Sequence, residues 1–259
     1  MGMFDQPMEP MSAYTSLIPH NFIRRFAPMF NEGLFRLSVE TGKIPARERF
    51  FYLELPWIPS NMIPGRKCDF WLEMMARGCL GFIPNECRDC WKVVVRPKTL
   101  EQLFKLLVYQ QQCGYECKCG IEVRKYVRGN YGGYFYTHSY EECGDRYMEV
   151  RAEMNKIDPE MSVIMKRSCT EYERDFGPSN EYQRPDDADH WEAQLDYYVD
   201  YQPSNNKLPP TMIAEIKQRW IDFAWQLDDP TVDQFTSGKQ LYPPVYTYHD
   251  QYVKEVKNA

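Results

Sequence analysis

Between residues 91 and 168 the apolar and polar positions repeat with periods that change in a regular order. Val93, Val94 and Val95 form a β-branched run ended by Pro97, which predicts a short strand. Leu100, Leu103, Phe104, Leu107 and Val108 then recur at helical spacing. Thr99 is placed to cap that helix, Gln102 lies three residues on as in a capping box, and Gly114 ends it. Residues 119–127 alternate Ile121 and Val123 with Glu122 and Arg124, the pattern of a half-buried strand. Residues 128–133 predict a turn and 133–137 a returning strand. Ser139, with Glu142 three residues later, predicts a capped helix over about 140–155, and residues 162–165 a last strand. The order β-α-β-β-α-β is that of the ferredoxin-like fold, so the expected class is α+β with such a core over about 91–168.

The flanking segments read differently. Residues 1–66 predict a largely extended arm, because prolines at 7, 10, 19, 28, 45, 56, 59 and 64 block long helices. Large apolar residues between them, among them Phe22, Phe26, Phe30, Phe35 and Trp57, imply that the arm packs on its own core or on another subunit. A strand is expected at 49–55 and a short helix at 68–77. Residues 169–210 are acidic and turn-rich, with a helix near 188–199. After Pro209 and Pro210, residues Ile213, Ile216, Trp220, Phe223, Ala224 and Leu227 fall on one helical face. An aromatic, proline-broken tail follows at 241–252. The expected organisation is therefore an arm (1–66), a cysteine-rich α+β core (67–168), an acidic segment (169–210) and a helix with an extended tail (211–259).

Composition sharpens this picture. With 43% hydrophobic and 15% aromatic residues, the chain can build a packed core. No run of 18 apolar residues predicts a membrane span. The N-terminus lacks a basic region followed by an apolar stretch, and Gln6 stands where myristoylation needs Ser or Thr. A cytoplasmic protein is expected, with its nine cysteines reduced or metal-bound. The net charge of −6 is uneven: residues 87–135 hold nine basic and four acidic side chains, residues 141–200 seven and seventeen. Such neighbours predict charge pairing within the molecule rather than nucleic-acid binding.

The cysteines carry the main chemical expectation. Cys87 and Cys90 precede the first core strand, and Cys113, Cys117 and Cys119 follow the first helix. Two short hooks of this kind suit tetrahedral zinc, with Cys87, Cys90, Cys117 and Cys119 as ligands and Cys113 in reserve. In a right-handed β-α-β crossover both hooks start at one end of the sheet. An intervening strand would set them about 9.6 Å apart, which the loops would have to bridge. An iron–sulfur cluster is the alternative metal group, although C-x₃-C-x-C does not match the ferredoxin runs. Buried small hydrophobes and a redox pair at Cys87 and Cys90 are the competing readings. Cys68, Cys79 and Cys169 read as core residues. Cys143, in the first turn of a predicted helix, is a candidate for reactivity.

Other constellations are weaker. Tyr126, Arg128, Tyr131, Tyr134, Phe135 and Tyr136 lie where ferredoxin-like RNA binders place stacking aromatics, but the octamer of the RNA-recognition motif is not matched. Packing is the favoured role. His20, His138, His190 and His249 form no ligand or catalytic spacing, and there is no phosphate loop, dinucleotide fingerprint or nucleophile elbow. The leading expectation is a metal-stabilised, non-catalytic accessory or assembly subunit that binds a protein partner or a second copy. The alternatives are an enzyme with a cysteine-rich or Lys166–Arg167-lined site, and a single-strand binder using Tyr134 and Tyr136 beside Arg124, Lys125 and Arg128.

Overall fold

The structure, a computed structural model, describes residues 17–38, 40–47, 57–62, 67–202 and 208–237, together with 254, 256 and 257. The strand expected at 49–55 and the tail at 241–252 lie outside these residues.

Two short helices open the described chain, α1 (His20–Arg25) and α2 (Ala27–Asn31), followed by β1 (Ile44–Arg47) and β2 (Trp57–Ser60). The arm is thus partly helical. Proline stands at the N-cap of α1 and at the first turn of α2, positions that need no backbone N–H. Next come α3 (Cys68–Ala76), α4 (Asn85–Arg88), β3 (Trp91–Arg96), α5 (Leu100–Gln112), β4 (Cys117–Ile121), β5 (Tyr131–Thr137), α6 (Tyr140–Ile157) and β6 (Ser162–Arg167). Then follow α7 (Thr170–Phe176), α8 (Ala188–Tyr198), β7 (Val199–Gln202), α9 (Pro210–Gln226) and α10 (Asp233–Thr236).

The caps read from sequence form as expected. The Thr99 hydroxyl accepts from the Gln102 N–H and that of Ser139 from the Glu142 N–H, and Gly114 reverses the chain at φ +71°. The strand expected over 119–127 instead begins at Cys117 and stops at Ile121. Arg124 folds back on Glu122 through both its backbone N–H (3.1 Å) and its Nε (2.8 Å), which turns the chain out of the sheet.

The molecule is mixed helix and strand around an antiparallel five-stranded sheet in the order β2-β4-β5-β3-β6. A separate pair, β1 with β7, is parallel. On one face of the large sheet, α5, α6 and α9 bury Val93, Val95, Cys117, Cys119, Tyr131, Phe135, Met154 and Trp220. Gly133 permits this packing, since a Cβ there would stand 2.6 Å from the Leu106 side chain of α5. A second core lies among α1, α2, α3, α4, α7, α8 and the β1–β7 pair, built on Phe22, Phe26, Phe30, Phe35, Trp71, Phe82 and Tyr172. The opposite face of the sheet and the turn after β4 meet this second unit: Lys92 reaches Cys169 and Arg124 reaches Glu171.

Asp229, buried just beyond α9, fastens three elements. Its carboxylate accepts from the Leu100 N–H at the start of α5 (2.8 Å), from the Tyr131 hydroxyl of β5 (2.7 Å) and from the Thr231 N–H and hydroxyl (2.9 and 2.7 Å). Burial pushes its pKa up, but these donors outweigh burial and hold it below the ordinary 3.8. A carboxyl more acidic in the fold than in the unfolded chain adds stability above its ordinary pKa. That contribution fades as pH falls through the native value. Asp229→Asn turns acceptors towards donors. At pH 7 it is expected to cost roughly 2–3 kcal/mol in denaturant unfolding. The gap from wild type should close in strong acid, and an equal cost at both pH values would contradict this role.

Candidate functional site

The five cysteines of the expected metal set are placed by the two faces of the sheet. Cys87, in α4, lies in the second core, where the Tyr172 hydroxyl reaches its sulfur at 3.6 Å. Burial pushes its thiol pKa well up. Cys117 and Cys119 point together into the first core from β4, as residues two apart in a strand do. Burial likewise raises Cys119. Cys90 is buried at the approach to β3, and its backbone carbonyl accepts from the Ser168 N–H. The two hooks are therefore not drawn into one quartet. Among the described residues, no three His, Cys, Asp or Glu side chains form a group able to hold a metal ion.

What the structure does bring together is Cys113 with Cys117. Cys113 is the C-cap of α5, and the turn at Gly114 brings the chain back to open β4 at Cys117. The Cys113 and Cys117 sulfurs lie 3.4 and 3.8 Å from a single acceptor, the Gln110 carbonyl oxygen. The Cys117 sulfur also lies 3.2 Å from the Tyr115 carbonyl oxygen. Cys113 is half-buried and Cys117 fully buried. The hydrogen bond from Cys117 is the main cause that lowers the Cys113 pKa to about 7. Partial burial opposes it, and the Tyr115 N–H and the Arg146 guanidinium assist. Cys117 moves the opposite way, pushed far up by its bond to Cys113 and by burial. Arg146 is fixed over the Tyr115 ring, 3.2 Å from its centroid.

The opposite face of the sheet carries cations and aromatics, because the alternation of β3, β4 and β5 sends Lys92, Arg96, Lys118, Tyr134 and Tyr136 there. Lys118 stands over Trp57 (5.4 Å) and Tyr134 (5.9 Å), and Arg96 over Tyr134 (5.3 Å). Burial lowers the Lys118 pKa. Gly132 leaves room for Arg96, whose guanidinium would sit 2.8 Å from a Cβ at that position. Glu122 is sealed beneath them. It accepts from Arg124 (2.8 and 2.6 Å) and the Tyr134 hydroxyl (2.8 Å), with Arg96 at 3.7 Å. Burial raises its pKa, yet these partners prevail and hold it below the ordinary value. Arg124 also reaches Glu171 of α7 at 2.9 Å.

Lys92 is 4% exposed, and its ammonium reaches the Cys169 sulfur at 3.5 Å. Burial alone would lower its pKa. The electrostatic attraction of the neighbouring Cys169, Cys90 and Cys68 sulfurs opposes this and favours the charged ammonium, so the net direction is upward.

Sequence reasoning missed this network. Glu122 and Arg124 sit two residues apart within an alternating run, which reads as an exposed strand face. Nothing local announces Glu171 or Tyr134 as their partners. The acidic segment does pair inward as its charge implied: Glu171 with Arg124, Glu173 with Lys166, Asp187 with Arg25 and Asp196 with Lys67.

Iodoacetamide should alkylate Cys113 with a rate that rises with pH about a midpoint near 7, read by peptide mass mapping. Cys117→Ala removes the donor and should move that midpoint upward. A wild-type midpoint near the ordinary 9.0 would exclude the activation described here. Comparison with protein-family models, with curated proteins and with solved structures finds no match.

Proposed function

We propose that the chain is a non-catalytic subunit that binds protein along the outer edge of β6, with a second copy of itself as the occupant. The fold beneath this reading is a ferredoxin-like core with one added edge strand. The succession β3-α5-β4-β5-α6-β6 and the sheet order β4-β5-β3-β6 support it.

The observation that carries the proposal is the contrast between the two edges. β2 is four residues long and holds Pro59, which cannot donate to a further strand. β6 is six residues long, holds no proline, and pairs only with β3 among the described residues. Charged side chains usually blunt such an edge. Here they are drawn aside: Lys166 pairs with Glu173, and Arg167 donates to the Arg88 and Ser179 carbonyls while lying over Trp91. Ile164 is 48% exposed at the middle of the strand. A two-fold related copy centred on Ile164 would pair it with itself, Val163 with Met165 and Ser162 with Lys166. No like charges would then face each other.

The other readings find less support. Tyr134 is buried and its hydroxyl is bound by Glu122, Arg96 and Arg124, which removes it as a stacking platform for bases. Lys166 and Arg167 are engaged with protein partners rather than lining a free site. The edge-pairing geometry calls on no metal, and of the quartet that would hold zinc Cys87 lies in one core while Cys117 and Cys119 lie in the other.

Light scattering coupled to size exclusion tests the proposal. Wild type should run at twice the 30.9 kDa chain mass. Ile164→Lys, which places two ammonium groups opposite each other at the centre, should raise the dissociation constant by about tenfold or more. A wild type that stays monomeric at concentrations of about 100 μM, or a dimer indifferent to Ile164→Lys, would overturn it.

A further inference from the structure

The Cys113–Cys117 pair has a geometry that neither strand pairing nor core packing requires. A thiol that only fills space needs no second thiol at the same carbonyl, and buried cysteines are often of that simple kind. Here two sulfurs meet at one carbonyl oxygen, 3.4 and 3.8 Å away, across a tight turn. One faces the solvent boundary and the other is fully enclosed. The two differ in role as well as in position. The accessible sulfur can meet a reagent, while the enclosed one can meet only its neighbour.

We infer that Cys113 and Cys117 form a reversible dithiol–disulfide site that exchanges with low-molecular-weight disulfides of the glutathione class. The Cys113 thiolate attacks one sulfur of the small disulfide, whose S–S bond breaks and releases one thiolate. Cys117 then attacks the Cys113 sulfur of the mixed disulfide, and its proton passes to the departing sulfur, which leaves as the second small thiol. Two protein thiols are oxidised to one disulfide, and one small disulfide is reduced to two thiols. The bridge ties the C-terminal end of α5 to the first residue of β4 across the three residues 114–116. Arg146, set over Tyr115 beside the pair, places a positive charge where the attacking sulfur is negative.

The other cysteines do not share this arrangement. Cys87 is bound by the Tyr172 hydroxyl inside the second core, and Cys169 faces the Lys92 ammonium. The C-x-x-C spacing of Cys87 and Cys90 therefore does not mark the reactive pair. This inference stands independently of the β6 edge.

The full-length protein is equilibrated in mixtures of reduced and oxidised glutathione, quenched with acid, alkylated and mapped by mass spectrometry. Wild type should lose two of its nine alkylatable thiols in one step, and the bridge should map to the peptides holding Cys113 and Cys117. Cys117→Ser should stop at a glutathione adduct on Cys113, and Cys113→Ser should form neither adduct nor bridge at these positions. Cys68→Ser, remote from the pair, should bridge as wild type does. If Cys117→Ser fails to fold, the wild-type map and Cys113→Ser still decide the matter. A bridge between other cysteines, or no bridge even with oxidised glutathione in large excess, would overturn the inference.

Discussion

Glu122 is a carboxylate with 1% side-chain exposure, set against the middle of a sheet. Removing such a charge from water is tolerable only where cations and donors surround it. Arg124, Arg96 and the Tyr134 hydroxyl meet that demand, and each has a structural consequence. Arg124 can serve only if the chain leaves the sheet after Ile121, which sets the length of β4. Arg96 can lie over Tyr134 only because Gly132 lacks a side chain. Arg124 then has donors left for Glu171, and through that contact α7 and the aromatic core behind it are held against the sheet. Leaving Glu122 without these partners would cost more than any one surface pair in the molecule provides.

Asp229 plays a comparable part on the other face. It joins the beginning of α5, the start of β5 and the exit of α9. Both carboxylates are matched by donors from elements distant in sequence. Local patterns describe elements well and such junctions poorly.

That distinction accounts for what could be read in advance. The helices at 100–112 and 140–157 fall where apolar spacing and side-chain caps put them, since both signals act within a few residues. The amphipathic face of Ile216, Trp220 and Ala224 likewise points into a core as its spacing implied. Helices α1 and α2 were hidden by their prolines, which here start helices instead of preventing them. The shortened β4 was hidden because alternation at Glu122 and Arg124 looks the same whether the chain stays in the sheet or turns back on itself. The cysteines show the same limit. Spacing groups them by distance along the chain, whereas the sheet sorts them by face, setting Cys117 and Cys119 apart from Cys87. Only the Cys113–Cys117 proximity, created by one glycine turn, was near enough in sequence to be inferred.

Pro59 bears on how far any assembly of this chain could grow. Strand pairing between open sheets can repeat without limit when both edges accept a neighbour, and the product is then a fibre. Here the edge at β2 is short and lacks one of its donors, while the edge at β6 is complete. Among the described residues, two copies joined at β6 would present only their proline-bearing edges outwards. The same chemistry that closes one side of the sheet would make the pair a terminated, finite object.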